Sequence, residues 1–217
     1  MGFYRGPNIV RDGLVLALDA GAVRSYPGSG TTWYDLSGNG NNSTLTNGPT
    51  FSNGSIVFDG VDDYSVGSGQ LGQDCTMEIW ISSSDYNGNI PFCVDGNNYA
   101  SGPNIYFTSG IIAWNTGNGG TNSFSNSSYP DSGWHNIVIT NEYNVTAKLY
   151  IDGSEIGTAS SLDATTTGTN KVWIGRWHGS EAYNQAASIK SARIYNRALS
   201  ATEVQQNYNA TKSRFGL

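Results

Sequence analysis

The chain has 217 residues, of which 13% are charged and 12% aromatic, and its formal net charge is −6. The aromatic content excludes a disordered chain, and the abundance of Gly, Asn, Ser and Thr disfavours a helical bundle. The 11 Lys and Arg residues are scattered singly, which argues against a nucleic-acid partner. No apolar run approaches the ~20 residues that cross a bilayer, so no membrane span is predicted.

The N-terminal part combines an apolar strand pattern with a long polar stretch. Residues 13–20 (GLVLALDA) form the apolar run. Residues 31–51 are rich in Gly and Asn, which tolerate left-handed backbone conformations and favour turns. Because burial of the large apolar side chains of Trp33 and Leu36 is favourable, we interpret this stretch as turns that cover one rim of the fold. A linker and a metal-binding loop are the alternatives.

Three further segments predict strands and hairpins. Residues 55–67 contain two short strands around Asp59-Gly60, a hairpin signal. Residues 75–82 (CTMEIWIS) alternate between two faces. Residues 104–117 predict a hairpin that turns at Ser109-Gly110.

The C-terminal half predicts more strands and one helix. Strands at 134–141 and 146–151 are followed by an Asp152-Gly153 turn and a third strand, and residues 171–177 and 188–196 add two more. Strands at such close, regular spacing are typical of a sandwich or jelly roll. Ser200 and Glu203 have capping-box spacing, which predicts a helix ending near Asn209.

The two cysteines, Cys75 and Cys93, leave two alternatives. They pair across neighbouring strands, or they are free buried thiols, and the second alternative is favoured in a reducing compartment. The N-terminal residues lack the apolar core of a secretory signal. If Met1 is the true start, we expect a protein that first folds in a cytoplasm.

An ordered set of motifs resembles a known family. The pieces are residues 34–42 (YDLSGNGNN), 57–64 (VFDGVDDY), 76–81 (TMEIWI), 134–140 (WHNIVIT), 148–153 (KLYIDG) and 193–204 (RIYNRALSATEV). Together they resemble LamG-like jelly-roll domains of the concanavalin A-like lectin/glucanase superfamily. The resemblance spans nearly the whole chain. It implies an all-β, two-sheet antiparallel jelly-roll sandwich with one short C-terminal helix. It also implies a single domain over residues 1–217, in which residues 1–12 and 210–217 are candidate docking tails.

At the two ends of the chain stand residues 4–21 (YRGPNIVRDGLVLALDAG) and 207–217 (NYNATKSRFGL). These ends resemble stand-alone LamG-like proteins of tailed bacteriophages. That resemblance implies a non-enzymatic virion structural protein: a capsid decoration protein, a fibre or an adhesin, assembled in the host cytoplasm. Its implied partners are other capsid or tail proteins, or copies of itself, with cell-surface glycans as further candidates. The alternatives are a free carbohydrate-binding lectin and a glucanase-like glycoside hydrolase.

Catalytic residues are sparse in the sequence. Glycoside hydrolysis needs two facing carboxylates, and glucanases of this superfamily carry Glu, Asp and Glu at alternating positions of one strand. The corresponding strand here offers only Glu78, followed by Trp80 and Ser82. The two histidines, His135 and His178, form no zinc-ligand motif. We therefore predict a protein that is not an enzyme.

Calcium is the one candidate ion, although the predicted non-enzymatic role requires no cofactor. Oxygen ligands are abundant, with Asp35, Asn39 and Asp19 as the first candidates, and Asp59, Asp62 and Asp63 as further ones. Related domains often bind calcium through acids on the late strand, where this chain has Lys190 and Ser191 instead. The favoured interpretation is that these carboxylates cap turns rather than bind calcium.

Aromatic residues provide the candidate glycan contacts. Five residues are predicted to contribute to a glycan or protein contact: Trp177, His178, Tyr183, Trp114 and Tyr99. Residues 176–185 (RWHGSEAYNQ) are the best single candidate, because three large rings in one turn cannot all be buried. The competing interpretation is a protein interface rich in Tyr and Trp, anchored by Arg214 and Phe215.

Overall fold

The computed structural model describes residues 8–69, 71–85, 89–95, 101–115, 121–129, 131–162, 171–177 and 183–217. This part of the chain forms two antiparallel sheets packed face to face, followed by one α-helix. In chain order the elements are β1 (Leu14–Asp19), β2 (Thr32–Trp33), β3 (Ser43–Thr46), β4 (Thr50–Ser52), β5 (Ser55–Asp59), β6 (Tyr64–Ser68), β7 (Cys75–Ser82), β8 (Asn89–Asp95), β9 (Ser101–Thr108), β10 (Ile111–Asn115), β11 (Thr121–Ser128), β12 (His135–Glu142), β13 (Thr146–Ile151), β14 (Ser154–Ala159), β15 (Lys171–Ile174), β16 (Ala186–Tyr195) and α1 (Ala201–Thr211). The predicted fold class is confirmed.

The two sheets each contain eight strands within the described residues. Sheet A has the order β14-β13-β12-β7-β16-β5-β4, and β1 pairs with β16 beside the end of β5. Sheet B has the order β11-β10-β9-β8-β15-β6-β3-β2. Consecutive strands often lie in different sheets, so the chain repeatedly crosses the sandwich.

The core lies between the sheets and follows the alternation of each strand. In β7, Cys75, Met77, Ile79 and Ile81 belong to this core, as their alternation predicts. The intervening residues, among them Glu78 and Trp80, therefore lie on the outer face of sheet A. They are nevertheless buried, because other parts of the chain cover that face.

The Asp59-Gly60 turn does not close a hairpin, so that prediction is wrong. Strand β5 pairs with β16 and β4 in sheet A, whereas β6 pairs with β15 and β3 in sheet B. The turn carries the chain from one sheet to the other. A turn signal reports a local reversal of the backbone, and it cannot specify which strand becomes the neighbour.

The other two predicted turns are confirmed as hairpins. Strands β9 and β10 pair across Ser109 (φ 49°) and Gly110 (φ 77°), and β13 and β14 pair across Asp152 (φ 52°) and Gly153 (φ 79°). Two consecutive residues with positive φ give a backbone twist that matches the twist of the flanking strands.

Residues 34–42 form an ordered cover along the free edge of β1. The backbone N–H of Leu36 donates to the carbonyl oxygen of Ala17, and Val15 accepts hydrogen bonds from the side chains of Ser37, Asn39 and Asn41. These contacts satisfy backbone groups that an unpaired strand would expose. The interpretation of this stretch as a structured cover is confirmed, and Trp33 is fully buried.

The helix begins with the predicted capping box of Ser200 and Glu203, but it ends at Thr211 rather than near Asn209. A 3-10 turn at Lys212–Phe215 follows and folds back onto sheet A. There Phe215 stacks on Trp80 with ring centroids 3.8 Å apart. The Phe215 ring thus packs against the domain, where its burial is more favourable than in water. The role of residues 210–217 as a docking tail stays a prediction.

The ends of the chain meet on this same helix. The side chain of Asn207 accepts a hydrogen bond from the backbone N–H of Val10 at 2.8 Å, and Gln206 donates to the carbonyl oxygen of Asn8. Residues 8–12 of the predicted N-terminal tail are thus anchored to α1, while 1–7 lie outside the described residues. Within the described part, no helix is long and apolar enough to span a membrane.

Cys75 and Cys93 are both buried thiols that form no disulfide with each other, which confirms the favoured alternative. Cys75 lies in the core on β7, whereas Cys93 lies on β8 in the opposite sheet. Burial raises the pKa of the Cys75 thiol above its usual range, so this thiol stays protonated and unreactive.

The capping box gives a pH-dependent contribution to stability. Hydrogen bonds from Arg197 lower the pKa of Glu203 from 4.5 to about 2. A carboxylate with a lowered pKa stabilises the fold above its unfolded pKa, and the contribution disappears as pH falls from 4.5 towards 2. We expect Glu203→Gln to cost about 1 kcal/mol at pH 7, because this pair is partly solvated, and almost nothing at pH 2.

Urea denaturation of the unmodified protein and of Glu203→Gln at pH 7, 4 and 2 measures the difference in free energy of unfolding. Glu155→Gln serves as the control, because Glu155 pairs with Lys148 at a more exposed position. An equal loss from Glu203→Gln at all three pH values would contradict the assignment.

Candidate functional site

The outer face of sheet B carries a group of aromatic and cationic side chains around β15. Val172 and Ile174 point into the core, which places Lys171 and Trp173 on the outside. In the sheet, Trp173 lies directly opposite Val66 of β6 and Cys93 of β8. Trp173 is therefore central in the sheet rather than at an edge.

We call Tyr64, Lys171, Trp173, Arg176 and Asp95 the aromatic–cation cluster. The Tyr64 and Trp173 ring centroids lie 5.4 Å apart with a tilt of 38° between the rings. The Arg176 guanidinium lies 4.5 Å from the Tyr64 centroid and 5.7 Å from that of Trp173. The Lys171 ammonium lies 5.8 Å from the Trp173 centroid. Both rings remain partly accessible to solvent.

Asp95 fixes the orientation of the indole ring. Its Oδ2 accepts a hydrogen bond from Trp173 Nε1, and its Oδ1 accepts one from the backbone N–H of Lys171, both at 3.0 Å. Asp95 itself is buried. The cluster thus has a fixed ring, two nearby cations and a carboxylate that is already engaged.

The predicted aromatic contacts have different outcomes. Trp177 and Tyr183 are partly buried and form an edge-to-face pair with centroids 5.4 Å apart. His178 and Tyr99 lie outside the described residues. Trp114 is fully buried in the core on β10, so the prediction of a surface contact there is wrong. The inward positions of β10 are Ile112 and Trp114, and burial of the large indole ring stabilises the sandwich.

Glu78 lies in a buried polar network on the outer face of sheet A. Its Oε1 accepts hydrogen bonds from Arg193 at 2.5 Å and from Asn136 at 3.2 Å, and its Oε2 accepts one from Asn207 of α1 at 2.8 Å. Glu78 is 1% exposed and Arg193 is 3% exposed. Glu78 is therefore a buried, hydrogen-bonded strand residue.

The Arg193 guanidinium stays protonated in this network despite its burial. Burial alone would lower the pKa of Arg193, but the Glu78 carboxylate together with Tyr195 and Asp19 outweighs that effect, and the pKa is raised. Burial also raises the pKa of Tyr195, whose hydroxyl accepts a hydrogen bond from Asn207. Helix α1 therefore closes over a charged pair that has no access to solvent.

The first calcium candidates are engaged in other contacts. Asp35 accepts hydrogen bonds from the backbone N–H groups of Ala17, Ser37 and Asn41 and from the Ser37 hydroxyl, which confirms its predicted turn-capping role. Asp19 pairs with Arg214 at 2.6 Å. The Asn39 amide nitrogen donates to the carbonyl oxygens of Leu14 and Val15.

Asp59, Asp62 and Asp63 form the one group of three potential metal-binding side chains found among the described residues, with their oxygens within 4.8 Å of one another. The backbone N–H of Val61 donates to Asp59 and lowers its pKa, while burial raises the pKa of Asp63. Calcium binding by this chain stays a prediction.

The family assignment follows from the sequence of the sandwich itself. Residues 58–205 match the family model described as the concanavalin A-like lectin/glucanases superfamily. The chain belongs to this superfamily. No curated protein matches this sequence.

Solved structures share this lectin-like fold at low sequence identity. The botulinum neurotoxin serotype D binding domain has a TM-score of 0.69 and 17% identity, over 93% of this chain and 53% of that chain. The serotype D domain in complex with N-acetylneuraminic acid gives 0.70 and 17%, over 93% and 52%. A Trypanosoma rangeli sialidase gives 0.66 and 16%, over 93% and 33%. This chain thus spans about half of the toxin domains and a third of the sialidase.

None of the five members of the aromatic–cation cluster of this lectin-like domain was a predicted site residue, although Arg176 begins the predicted 176–185 segment. A usable signal was present. In residues 171–177 (KVWIGRW), Val172 and Ile174 mark the inward positions, so period-2 alternation already places Trp173 outside. The juxtaposition with Tyr64, by contrast, depends on the pairing of β15 with β6.

Proposed function

We propose that this lectin-like protein is a non-enzymatic, glycan-binding structural component of a tailed-bacteriophage particle. The aromatic–cation cluster is the observation that carries the proposal. It places a partly accessible indole ring and two cationic side chains side by side on the outer face of sheet B. The serotype D neurotoxin domain, of which this chain spans 52%, was solved in complex with N-acetylneuraminic acid, which supports a search for saccharide ligands.

The cluster has the chemistry that saccharide recognition requires. The C–H face of a sugar ring packs on an aromatic ring, and its hydroxyl groups pair with charged or amide side chains at the rim. Asp95 holds Trp173 in one orientation, so little side-chain entropy is lost on binding. The Trp177–Tyr183 pair, whose ring centroids lie 5.4 Å apart, comes shortly after the same strand in the sequence.

The buried position of Glu78 supports the non-enzymatic part of the proposal. A glycosidase needs a carboxylic acid and a carboxylate that both face the sugar. Here the acid on the strand that corresponds to the glucanase motif is covered by α1 and paired with Arg193. A saccharide on sheet B would also lie on the opposite side of the sandwich from Glu78.

The virion role is supported by the resemblance of both chain ends to stand-alone phage proteins. Mass spectrometry of purified particles should find the protein at a fixed copy number per particle. Its absence from particles, together with saccharide binding by the free protein, would favour the free lectin. Release of reducing sugar from β-glucans would favour the hydrolase.

Replacing Trp173 with alanine should weaken saccharide binding by about tenfold or more, since buried Trp contacts dominate binding energies. A glycan array followed by calorimetry on the best-bound saccharide measures the effect. Tyr34→Ala is the matched control, because Tyr34 is an exposed aromatic residue away from the cluster. Equal affinity of the Trp173→Ala variant and the unmodified protein would remove the cluster from the binding site.

A further inference from the structure

We infer that the saccharide bound by the aromatic–cation cluster is anionic, carrying carboxylate or sulfate groups; this inference rests on the proposed function. The argument concerns the charge at the cluster. The protein as a whole has a net charge of −6, with only 11 Lys and Arg residues. Two of these residues nevertheless flank one indole ring.

Within the described part of the chain, the two cations of the cluster form no ion pair. Elsewhere in the described residues, Arg193, Arg197 and Arg214 each pair with a carboxylate at 2.5–2.8 Å. Arg176 and Lys171 have no carboxylate within 4.0 Å in that same part of the chain. The Arg176 Nε donates to the carbonyl oxygen of Trp177, and no acceptor for the terminal nitrogens of the guanidinium is found among the described residues.

Asp95 is the acidic member of the cluster, and its hydrogen bonds show whether it neutralises the two cations. Its two carboxylate oxygens accept from the Trp173 indole and from the Lys171 backbone rather than from either cationic group. It therefore orients the ring, while Lys171 is exposed and Arg176 is partly exposed beside the Tyr64 ring. A neutral saccharide would use the ring but leave these charges without a counterpart.

An anionic sugar fits all parts of this arrangement. Its ring packs on Trp173, and its acidic group lies within reach of a guanidinium, which binds carboxylate and sulfate through two parallel hydrogen bonds. Interactions between exposed charges are screened by salt, with a Debye length of about 10 Å at 0.1 M. Binding of the anionic saccharide should consequently weaken several-fold between 0.02 and 0.3 M NaCl.

The test compares tetragalacturonate and sulfated maltotetraose with neutral maltotetraose by isothermal titration calorimetry. The protein should bind at least one anionic probe about tenfold more tightly than the neutral one, and the two anionic arms distinguish carboxylate from sulfate. The double variant Lys171→Gln, Arg176→Gln should lose this preference. Lys148→Gln is the control, because Lys148 lies on sheet A and pairs with Glu155.

Circular dichroism melting of each variant verifies folding. A neutral probe that binds as tightly as the anionic probes, in a Trp173-dependent manner, would overturn the inference and leave the proposed function intact. Binding of no saccharide on the array, neutral or anionic, would overturn both. Anionic binding that is unaffected by the double variant would overturn the inference by placing the charge recognition elsewhere.

Discussion

Replacing Arg193 with methionine is expected to lower the free energy of unfolding by about 3–5 kcal/mol, the usual cost of breaking a buried ion pair. The variant leaves Glu78, which is 1% exposed, without its cationic partner. The remaining hydrogen bonds from Asn136 and Asn207 cannot neutralise the charge. Urea denaturation followed by circular dichroism at pH 7 measures the loss.

An exposed ion pair provides the comparison for Arg193. Lys148 and Glu155 lie 3.0 Å apart with side chains 37% and 39% exposed, so Lys148→Met should cost less than about 1 kcal/mol. The double variant Glu78→Leu, Arg193→Met should recover part of the stability, because it removes both buried charges. A loss below about 1 kcal/mol in Arg193→Met would show that the pair is not isolated from water.

Replacing Trp80 with alanine is expected to cost about 3–5 kcal/mol, as for other buried Trp residues. Trp80 is fully buried on the outer face of sheet A and stacks on Phe215 and on Tyr208, with centroids 3.8 and 5.8 Å apart. Its Nε1 donates a hydrogen bond to Thr211 at 3.0 Å. The variant loses these contacts at once and leaves a cavity beneath the C-terminal segment.

Limited trypsin digestion separates this effect from a general loss of stability. Release of the C-terminal segment should accelerate cleavage after Lys212 and Arg214 in native conditions, because these residues lie in the 3-10 turn that Trp80 holds down. Tyr34→Ala, which changes an exposed ring, should alter neither the unfolding free energy by more than about 0.5 kcal/mol nor the cleavage rate. Unchanged cleavage in a destabilised Trp80→Ala variant would contradict the anchoring role.

Alternation and turn chemistry in the sequence determined much of the fold. The period-2 pattern of β7 correctly separated Met77 and Ile79 from Glu78 and Trp80. The Ser109-Gly110 turn, and the capping box of α1, were also correct. These features depend on residues within one turn or one strand, where backbone preferences and side-chain spacing act directly.

The tertiary structure alone decided which surfaces became buried and which side chains met. Trp114 on β10 and Trp173 on β15 both belong to strands of sheet B whose side chains alternate between the two faces. Trp114 faces sheet A and is fully buried, whereas Trp173 lies on the outer face and is partly exposed. Glu78 is covered by Asn207, 129 residues away in the chain. Such contacts depend on the packing of elements that are distant in the chain. Burial of a side chain is favourable against many partners, so the local sequence does not indicate which partner will cover it.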